Sequence, residues 1–282
     1  MCNKSFGCAI LPRMKWQAFH HPDISLPVIR RKACDDLMIL LEEVTCLVLS
    51  RGASAIYGHC YPNPRAFNAA ATRLQKRGFV AQGKTDGALP SLTLTPEGKQ
   101  RLPPYFHPHD HWNRRWNKWW YVLMFDVPER ERPYRDTLRR FLKKMRLGCL
   151  QKSVWVTPWD IRPEYADMDT AASVDSIAFL FEARTVLGYG NQSVVREAWD
   201  FNQINQIQEL YIHFANKNLS LLETATPAES SLVQLLRMDS LAYAQAMSID
   251  PLLPRELHPK EYAGPQVAEL HHELIGRIAE RL

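Results

Sequence analysis

The sequence predicts a multidomain protein of the α+β class, and three patterns along its 282 residues support this prediction. Two helical patterns followed by a pair of short strands occupy the N-terminal part. A continuous apolar strand, a one-sided helix and further strands come next, and mainly helical periodicity fills the remainder. We expect five segments: an N-terminal arm (1–34), an N-terminal domain (35–102), a linker (103–118), a central domain (119–190) and a helical C-terminal domain (191–282).

Composition and the length of the apolar runs exclude several classes of protein. Apolar side chains make up 46% of the chain and charged side chains 23%, which excludes collagen-like, coiled-coil and wholly disordered proteins. Apolar stretches such as 37–41 and 44–49 are far shorter than the roughly 20 residues that a membrane span needs. The first ten residues lack the pattern of a secretion signal. We therefore expect a cytoplasmic protein.

The six cysteines are scattered along the chain, and none belongs to a CxxC pair. This spacing favours free thiols, and a chain of this length needs no disulfide framework. A zinc knuckle or a redox pair stays open as the alternative. We expect no cofactor.

Net charge is distributed unevenly along the chain. Residues 1–120 carry 17 lysines and arginines against 8 aspartates and glutamates, a balance of +9. Residues 121–282 carry 18 against 22, a balance of −4, so the net charge is +5. A basic N-terminal part on an acidic body is typical of a chain with one module that faces nucleic acid.

The order of elements in residues 35–102 is typical of a winged helix-turn-helix. A first helix is indicated by apolar residues at the spacing of one helix face, namely Leu37, Leu40, Leu41, Val44, Leu47 and Val48. Asn63-Pro64, an N-cap followed by a first-turn proline, begins a second helix that Gly78 ends. Strands follow at 79–80 and 92–95, on either side of a glycine-containing turn.

The second helix of such a domain enters the major groove of DNA, where arginine and asparagine can contact base edges. A lysine at the tip of the wing would lie along phosphate. The candidate DNA-binding residues are Asn63, Arg65, Asn68, Thr72, Arg73, Lys76, Arg77 and Lys84. The alternative is that the same basic face is the solvated surface of an ordinary helical domain.

Residues 103–118 are rich in proline, histidine and aromatic side chains, and we interpret them as a linker. His107, His109, Asp110 and His111 are close enough in sequence to reach one metal ion. Their spacing differs by one residue from the H-x-H-x-D-H pattern of binuclear zinc hydrolases, and no glycine-rich context surrounds them. We favour histidines without a metal and keep the three as candidate ligands.

The central domain is predicted from a strand, a helix and further strands. An apolar strand spans 119–125, and a helix follows with Tyr134, Leu138, Phe141, Leu142 and Met145 on one side. The other side of that helix is basic and carries Arg132, Arg135, Arg139, Arg140, Lys143, Lys144 and Arg146. Gly148 ends it, and strands are predicted at 151–156 and 176–181. This order fits half of a ferredoxin-like α/β plait.

The C-terminal domain is predicted to be helical. Trp199 and Tyr211 are interpreted as packing residues, and Leu235, Leu236 and Leu241 as helical core. A closing helix begins at about Pro265, with apolar residues at Val267, Leu270, Leu274 and Ile278.

Three stretches of this sequence resemble the PaaX family of bacterial repressors. The first contains FDVPE at 125–129 and LRRFLKKMRLGCLQKSVWV at 138–156, in a domain that is itself similar to the small CRISPR-associated nuclease with a ferredoxin-like fold. The second is AWDF at 198–201, followed by Tyr211 and Phe214. The third is DPLLPRELHP at 250–259, followed by Gly264 and Ala268. The family's Trp-Pro-Gly is replaced here by Tyr262-Ala263-Gly264.

The resemblance implies a non-enzymatic, cytoplasmic and homodimeric transcriptional repressor that binds double-stranded operator DNA. It further implies control of phenylacetate-like catabolism and release by an acyl-CoA such as phenylacetyl-CoA. No effector residue can be assigned from the sequence. Trp116, Trp155 and Trp159 are candidates for an acyl pocket, and the alternative is that they belong to the core.

Asp126 carries the alternative hypothesis of a metal-dependent nuclease. It follows the first strand of the central domain, where the related nuclease holds its catalytic metal between two dimer copies. One carboxylate per subunit could converge on Mg²⁺. We favour a structural role, either as a cap of the following helix or as a hydrogen-bond acceptor in the turn.

Overall fold

The computed structural model describes residues 16–19, 38, 64–82, 92–163, 177–184 and 190–281. Within these ranges the protein is mixed α+β, with a small antiparallel sheet at its centre and a helical C-terminal region. None of the helices in these ranges is both long and apolar enough to cross a membrane.

The N-terminal described unit is a helix followed by a strand pair and a short second helix. Helix α1 spans Pro64–Lys76, strands β1 and β2 span Val80–Gln82 and Leu92–Leu94, and α2 spans Pro96–Gln100. The strands pair antiparallel, with Val80 opposite Leu94. These elements occur where the sequence predicted a second helix and two strands. Of the predicted first helix only Met38 is described, as a buried helical residue, and the rest lies outside the described residues.

The segment between the N-terminal and central domains contains short helices. A 3₁₀ turn at Pro104–Phe106 leads into helix α3 (Pro108–Trp112). Tyr105 and Trp112 are buried, and the backbone carbonyl of Tyr105 accepts a 2.8 Å hydrogen bond from the hydroxyl of Tyr243. This segment therefore packs on the C-terminal helices.

The central sheet has four strands, β3 (Trp120–Asp126), β4 (Gly148–Gln151), β5 (Val154–Thr157) and β6 (Ile177–Ala183). They are ordered β4-β5-β3-β6, and all neighbours are antiparallel. Helix α4 (Arg132–Lys144) connects β3 to β4. The sequence predicts one strand at 151–156 where the structure has two, β4 and β5, so β4 is missing from the prediction. The second helix of a plait would fall between β5 and β6, largely outside the described residues.

The two faces of the sheet pack against different partners because side chains alternate along each strand. Tyr121, Leu123 and Phe125 share a core with Leu142 of α4. Trp120, on the opposite face, shares a core with the C-terminal domain. The apolar side of α4 is mostly as predicted, but Phe141 is exposed.

The C-terminal region consists of four helices, α5 (Asn191–Ala198), α6 (Phe201–Thr224), α7 (Glu229–Ser248) and α8 (Gly264–Ala279). Helices α6, α7 and α8 form the largest apolar core, which contains Tyr211, Leu235 and Leu236, all fully buried. Trp199 packs in the core below the sheet. Leu241 is exposed, so its assignment to the core was wrong.

Candidate nucleic-acid interface

Helix α1 has one apolar and one polar side. Ala70, Ala71 and Leu74 are buried, and the small alanines allow close packing on the core below. Every described candidate for DNA contact is exposed, namely Arg65, Asn68, Thr72, Arg73, Lys76 and Arg77. The other two candidates, Asn63 and Lys84, lie outside the described residues.

The exposed side of α1 is strongly cationic. Arg73 and Lys76 occupy the last turn, where positive charge is favoured by the helix dipole, and Arg77 follows directly. Neither the three cations on this helix nor Arg77 forms an ion pair with another described residue. Arg73 donates to the carbonyl of Ala69, at 3.1 Å. Among the described residues, no carboxylate therefore offsets the guanidinium and ammonium groups of this surface.

Three residues hold α1 and the strand pair in place. Gly78 has a left-handed φ of +72°, which ends α1 and lets the amide of Phe79 donate back to Leu74. Thr95 donates its hydroxyl to the Gly78 carbonyl at 2.6 Å and accepts the Gly98 amide at 3.0 Å. A Cβ at Gly98 would lie 2.1 Å from the Phe79 carbonyl oxygen, so only glycine fits there. The Thr95–Gly98 stretch therefore positions the exposed helix.

The candidate metal ligands do not assemble. His107 and His109 are exposed, and the His109 ring meets the edge of Trp112. Burial and the nearby charge of Arg146 lower the pKa of His111, which favours its neutral form. Across the described part of the chain, no three His, Cys, Asp or Glu side chains are grouped so that they could hold a metal ion.

Asp126 is exposed at the last position of β3, opposite Ile177. The predicted capping role for Asp126 was wrong, because the N-cap of the 3₁₀ turn that follows (Glu129–Glu131) is Pro128 and the N-cap of α4 is Glu131.

Asp250 organises a buried polar network that the sequence analysis did not anticipate. Its carboxyl accepts hydrogen bonds from the Leu252 amide at 2.7 Å, the Gln208 side chain at 2.7 Å and the Tyr262 hydroxyl at 2.6 Å. Complete burial raises the pKa of Asp250, although these donors and the charge of Arg146 oppose the rise. The DPLLP stretch was a signal for this site, since an aspartate within apolar sequence needs buried partners.

Two family models match this chain. Residues 113–195 match the PaaX protein central Cas2-like domain, and residues 199–281 match the PaaX-like protein C-terminal domain. The chain belongs to the PaaX family. The transcriptional repressor PaaX of Escherichia coli (strain K12) is 29% identical over 142 residues. That match covers 47% of this chain and 43% of the relative, so it spans less than half of either protein.

A solved structure supports the fold. An uncharacterized protein from Mycobacterium tuberculosis superposes with a TM-score of 0.55 at 17% identity, covering 88% of this chain and 96% of that one. At this identity the likeness concerns the fold alone.

The two domains of this PaaX-family chain meet along β4 and the junction between α5 and α6. The indole of Trp199 donates to the carbonyl of Arg146 at 3.2 Å, and that of Trp120 donates to Asn191 at 3.0 Å. A Cβ at Gly148 would lie 2.6 Å from that of Ala198, so the backbone of β4 approaches the C-terminal domain closely. Arg146, predicted on the basic side of α4, instead has a left-handed φ of +64° and a largely buried guanidinium.

Proposed function

We propose that this PaaX-family chain is a ligand-responsive transcriptional repressor. It binds operator DNA through the exposed side of α1 and is released by an acyl-CoA effector such as phenylacetyl-CoA, in control of a phenylacetate-like catabolic operon. The observation that carries the proposal is the cationic side of α1, which forms no ion pair with another described residue, in a chain with two domains that match PaaX models. The Escherichia coli relative is named a transcriptional repressor, and we propose the same activity for this chain.

The DNA-binding domain is proposed to be a winged helix. Support comes from α1, the antiparallel pair β1–β2 that follows it, and the buried helical Met38 in the predicted first helix. In this arrangement Arg65 and Asn68 lie on the exposed side of α1, suited to base edges. Lys84 then belongs to the wing, where it contacts phosphate.

We also propose that the repressor is a cytoplasmic homodimer built on the central domain, which we assign to the ferredoxin-like plait. The strand order β4-β5-β3-β6 supports that assignment. Met124, Phe179 and Phe181 are exposed on neighbouring strands, and the two phenylalanine rings stack at 5.9 Å. Such an apolar patch favours association with a second copy. A two-fold dimer would place two α1 helices on operator half-sites about one helical turn apart, or a multiple of it.

Gel retardation with the protein's own upstream region tests the repressor proposal. We expect retardation without strand loss, competition by unlabelled upstream DNA but not by unrelated DNA, and release by phenylacetyl-CoA. The alternative function is a nuclease that uses Asp126, which is exposed at the end of β3. Mg²⁺-dependent strand cleavage that Asp126→Ala abolishes would contradict the repressor proposal and support the nuclease.

A further inference from the structure

A cavity lies between the central and C-terminal domains. It has a volume of about 340 Å³ and is open to solvent on one side. Its central-domain wall is formed by the end of α4 and strands β4 and β5, and its C-terminal wall by the α5–α6 junction and the end of α7. The lining includes Lys143, Arg146, Cys149, Trp155, Trp199 and Ile249.

The lining carries two cations and one carboxylate. Lys143 occupies the last turn of α4, and Arg146 follows that helix. Arg146 donates one guanidinium N–H to the carbonyl of Met247 at 3.5 Å, a long bond that leaves its other donors available. The carboxylate of Asp200 accepts the Gln203 amide at 3.0 Å as the N-cap of α6. Asp200 therefore already has a structural role, and the site retains excess positive charge.

The aromatic part of the lining consists of two indole rings. Trp155 is 2% exposed, and its indole N–H, which is shielded from solvent, has no hydrogen-bond partner among the described residues. Trp199 donates its indole N–H to the carbonyl of Arg146. Both residues therefore offer a ligand their ring surfaces rather than a donor. Indole rings beside cations are suited to a ligand with an apolar group and an acidic or carbonyl oxygen.

We propose that this cavity binds the effector of the repressor, and that the ligand is an anionic acyl compound with an aromatic or apolar acyl group. This inference rests on the proposed function, because it gives the effector a location. A volume of about 340 Å³ holds the acyl end and its carbonyl but not a whole coenzyme A. The phosphates then lie outside, along the basic side of α4, where Arg140 and Lys143 are exposed.

A ligand in this position contacts both domains at once. Lys143 and Trp155 belong to the central domain, whereas Trp199 and Ile249 belong to the C-terminal domain. Binding therefore favours whichever arrangement of the two domains forms the complete cavity. In the proposed dimer, such a shift would change the spacing of the two DNA-binding domains.

The test is ligand binding by the full chain in the absence of DNA. Calorimetric titrations with phenylacetyl-CoA, phenylacetate and coenzyme A should give the tightest binding with phenylacetyl-CoA. Lys143→Gln should weaken that binding about tenfold, because it removes one charge-assisted contact. Lys217→Gln, an exposed lysine on α6 that belongs neither to the lining nor to the basic side of α4, is the matched control and should change binding less than about twofold.

Two further measurements test whether the ligand occupies this cavity. Trp155→Phe replaces the larger indole ring of the lining by a phenyl ring and should weaken binding while the protein still melts cooperatively. Cys149 has a half-buried thiol in the lining, so bound phenylacetyl-CoA should slow its alkylation, with the other five cysteines of the chain as internal reference. Peptide mass spectrometry would follow each site.

The outcomes separate this inference from the proposed function. Absence of binding by all three compounds, or binding that Lys143→Gln and Trp155→Phe leave unchanged with no protection of Cys149, overturns the cavity assignment. In either case operator binding can still be observed, so the repressor proposal is judged separately. If the compounds bind in the cavity but no upstream DNA is retarded, the cavity assignment stands and the repressor proposal fails.

Discussion

Tyr262 donates its phenolic hydrogen to Oδ2 of Asp250 across 2.6 Å, and this bond joins the end of α7 to the chain that enters α8. The resemblance to the PaaX family predicts a tryptophan at the position of Tyr262. Burial and the neighbouring carboxyl raise the pKa of Tyr262 well above its usual value, so the phenol remains a neutral donor. Asp250 in turn orders the DPLLP turn through the Leu252 amide.

Tyr262→Phe should destabilise the protein. The substitution removes one of three donors from a fully buried carboxyl, at a cost of about 1–3 kcal/mol. Urea unfolding, monitored by circular dichroism, measures this decrease in the free energy of unfolding. Tyr134→Phe, a half-buried tyrosine on α4 outside this network, is the matched control. A Tyr262→Phe variant as stable as the wild type would show that the bond contributes nothing net.

Asp250 should make stability depend on pH. Because burial raises its pKa in the folded state above the ordinary value of 3.8, the folded protein binds the proton more tightly than the unfolded chain does. The stabilisation that protonated Asp250 adds to the free energy of unfolding is therefore fully present below pH 3.8. It is lost as the pH rises through the pKa of Asp250 in the folded protein. Asp250→Asn cannot ionise, so the free-energy difference between wild type and variant should fall as pH rises from about 4 to 7.

The measurement is urea unfolding of both proteins at each pH. A constant difference across this range would mean that Asp250 does not titrate differently in the folded protein. A difference that increases with pH would mean that its donors and Arg146 outweigh the cost of burial.

Gly148→Ala should loosen the contact between the two matched domains. The added methyl group would lie 2.6 Å from the Cβ of Ala198 and 2.7 Å from the Trp199 ring, so the backbone or the ring must shift. We expect this shift to lower the free energy of unfolding by about 1–3 kcal/mol. Gly276→Ala is the matched control, since nothing lies within 4 Å of its Cβ position and alanine is the better helix former. The melting temperature should decrease for Gly148→Ala and stay unchanged or increase for Gly276→Ala. Equal melting temperatures would contradict the close approach.

The exposed residues of α1 should govern operator recognition. Arg65→Ala and Asn68→Ala should each cost about 1–3 kcal/mol in binding and relax base preference at one position of the operator. Lys84→Ala should weaken binding uniformly and flatten its salt dependence. Arg237→Ala, an exposed arginine on α7, controls for general loss of charge. Unchanged operator affinity in the first three variants, at low and high salt, would exclude the winged-helix assignment.

Much of the fold could be predicted because its signals are local. The N-cap signal Asn63-Pro64 and Gly78 located α1, apolar spacing located α4 and α8, and the run after residue 119 located β3. The polar side of α1 was also predictable, since residues on one helix face follow the 3.6-residue period. Strand β4 was missed because it has four residues and follows directly on a helix terminus. So short a run carries too few alternations to be distinguished from a turn.

The sequence by itself determined the α+β class of the protein, its family and the cationic side of α1. Only the tertiary structure decided that Arg146 turns inward to Met247, 101 positions along the chain, and that Asp250 lies between Gln208 and Tyr262. The same holds for the cavity, whose walls come from two domains. Periodicity describes which face of an element is buried. Which buried groups then meet depends on packing between elements distant in sequence, and no local pattern encodes that pairing.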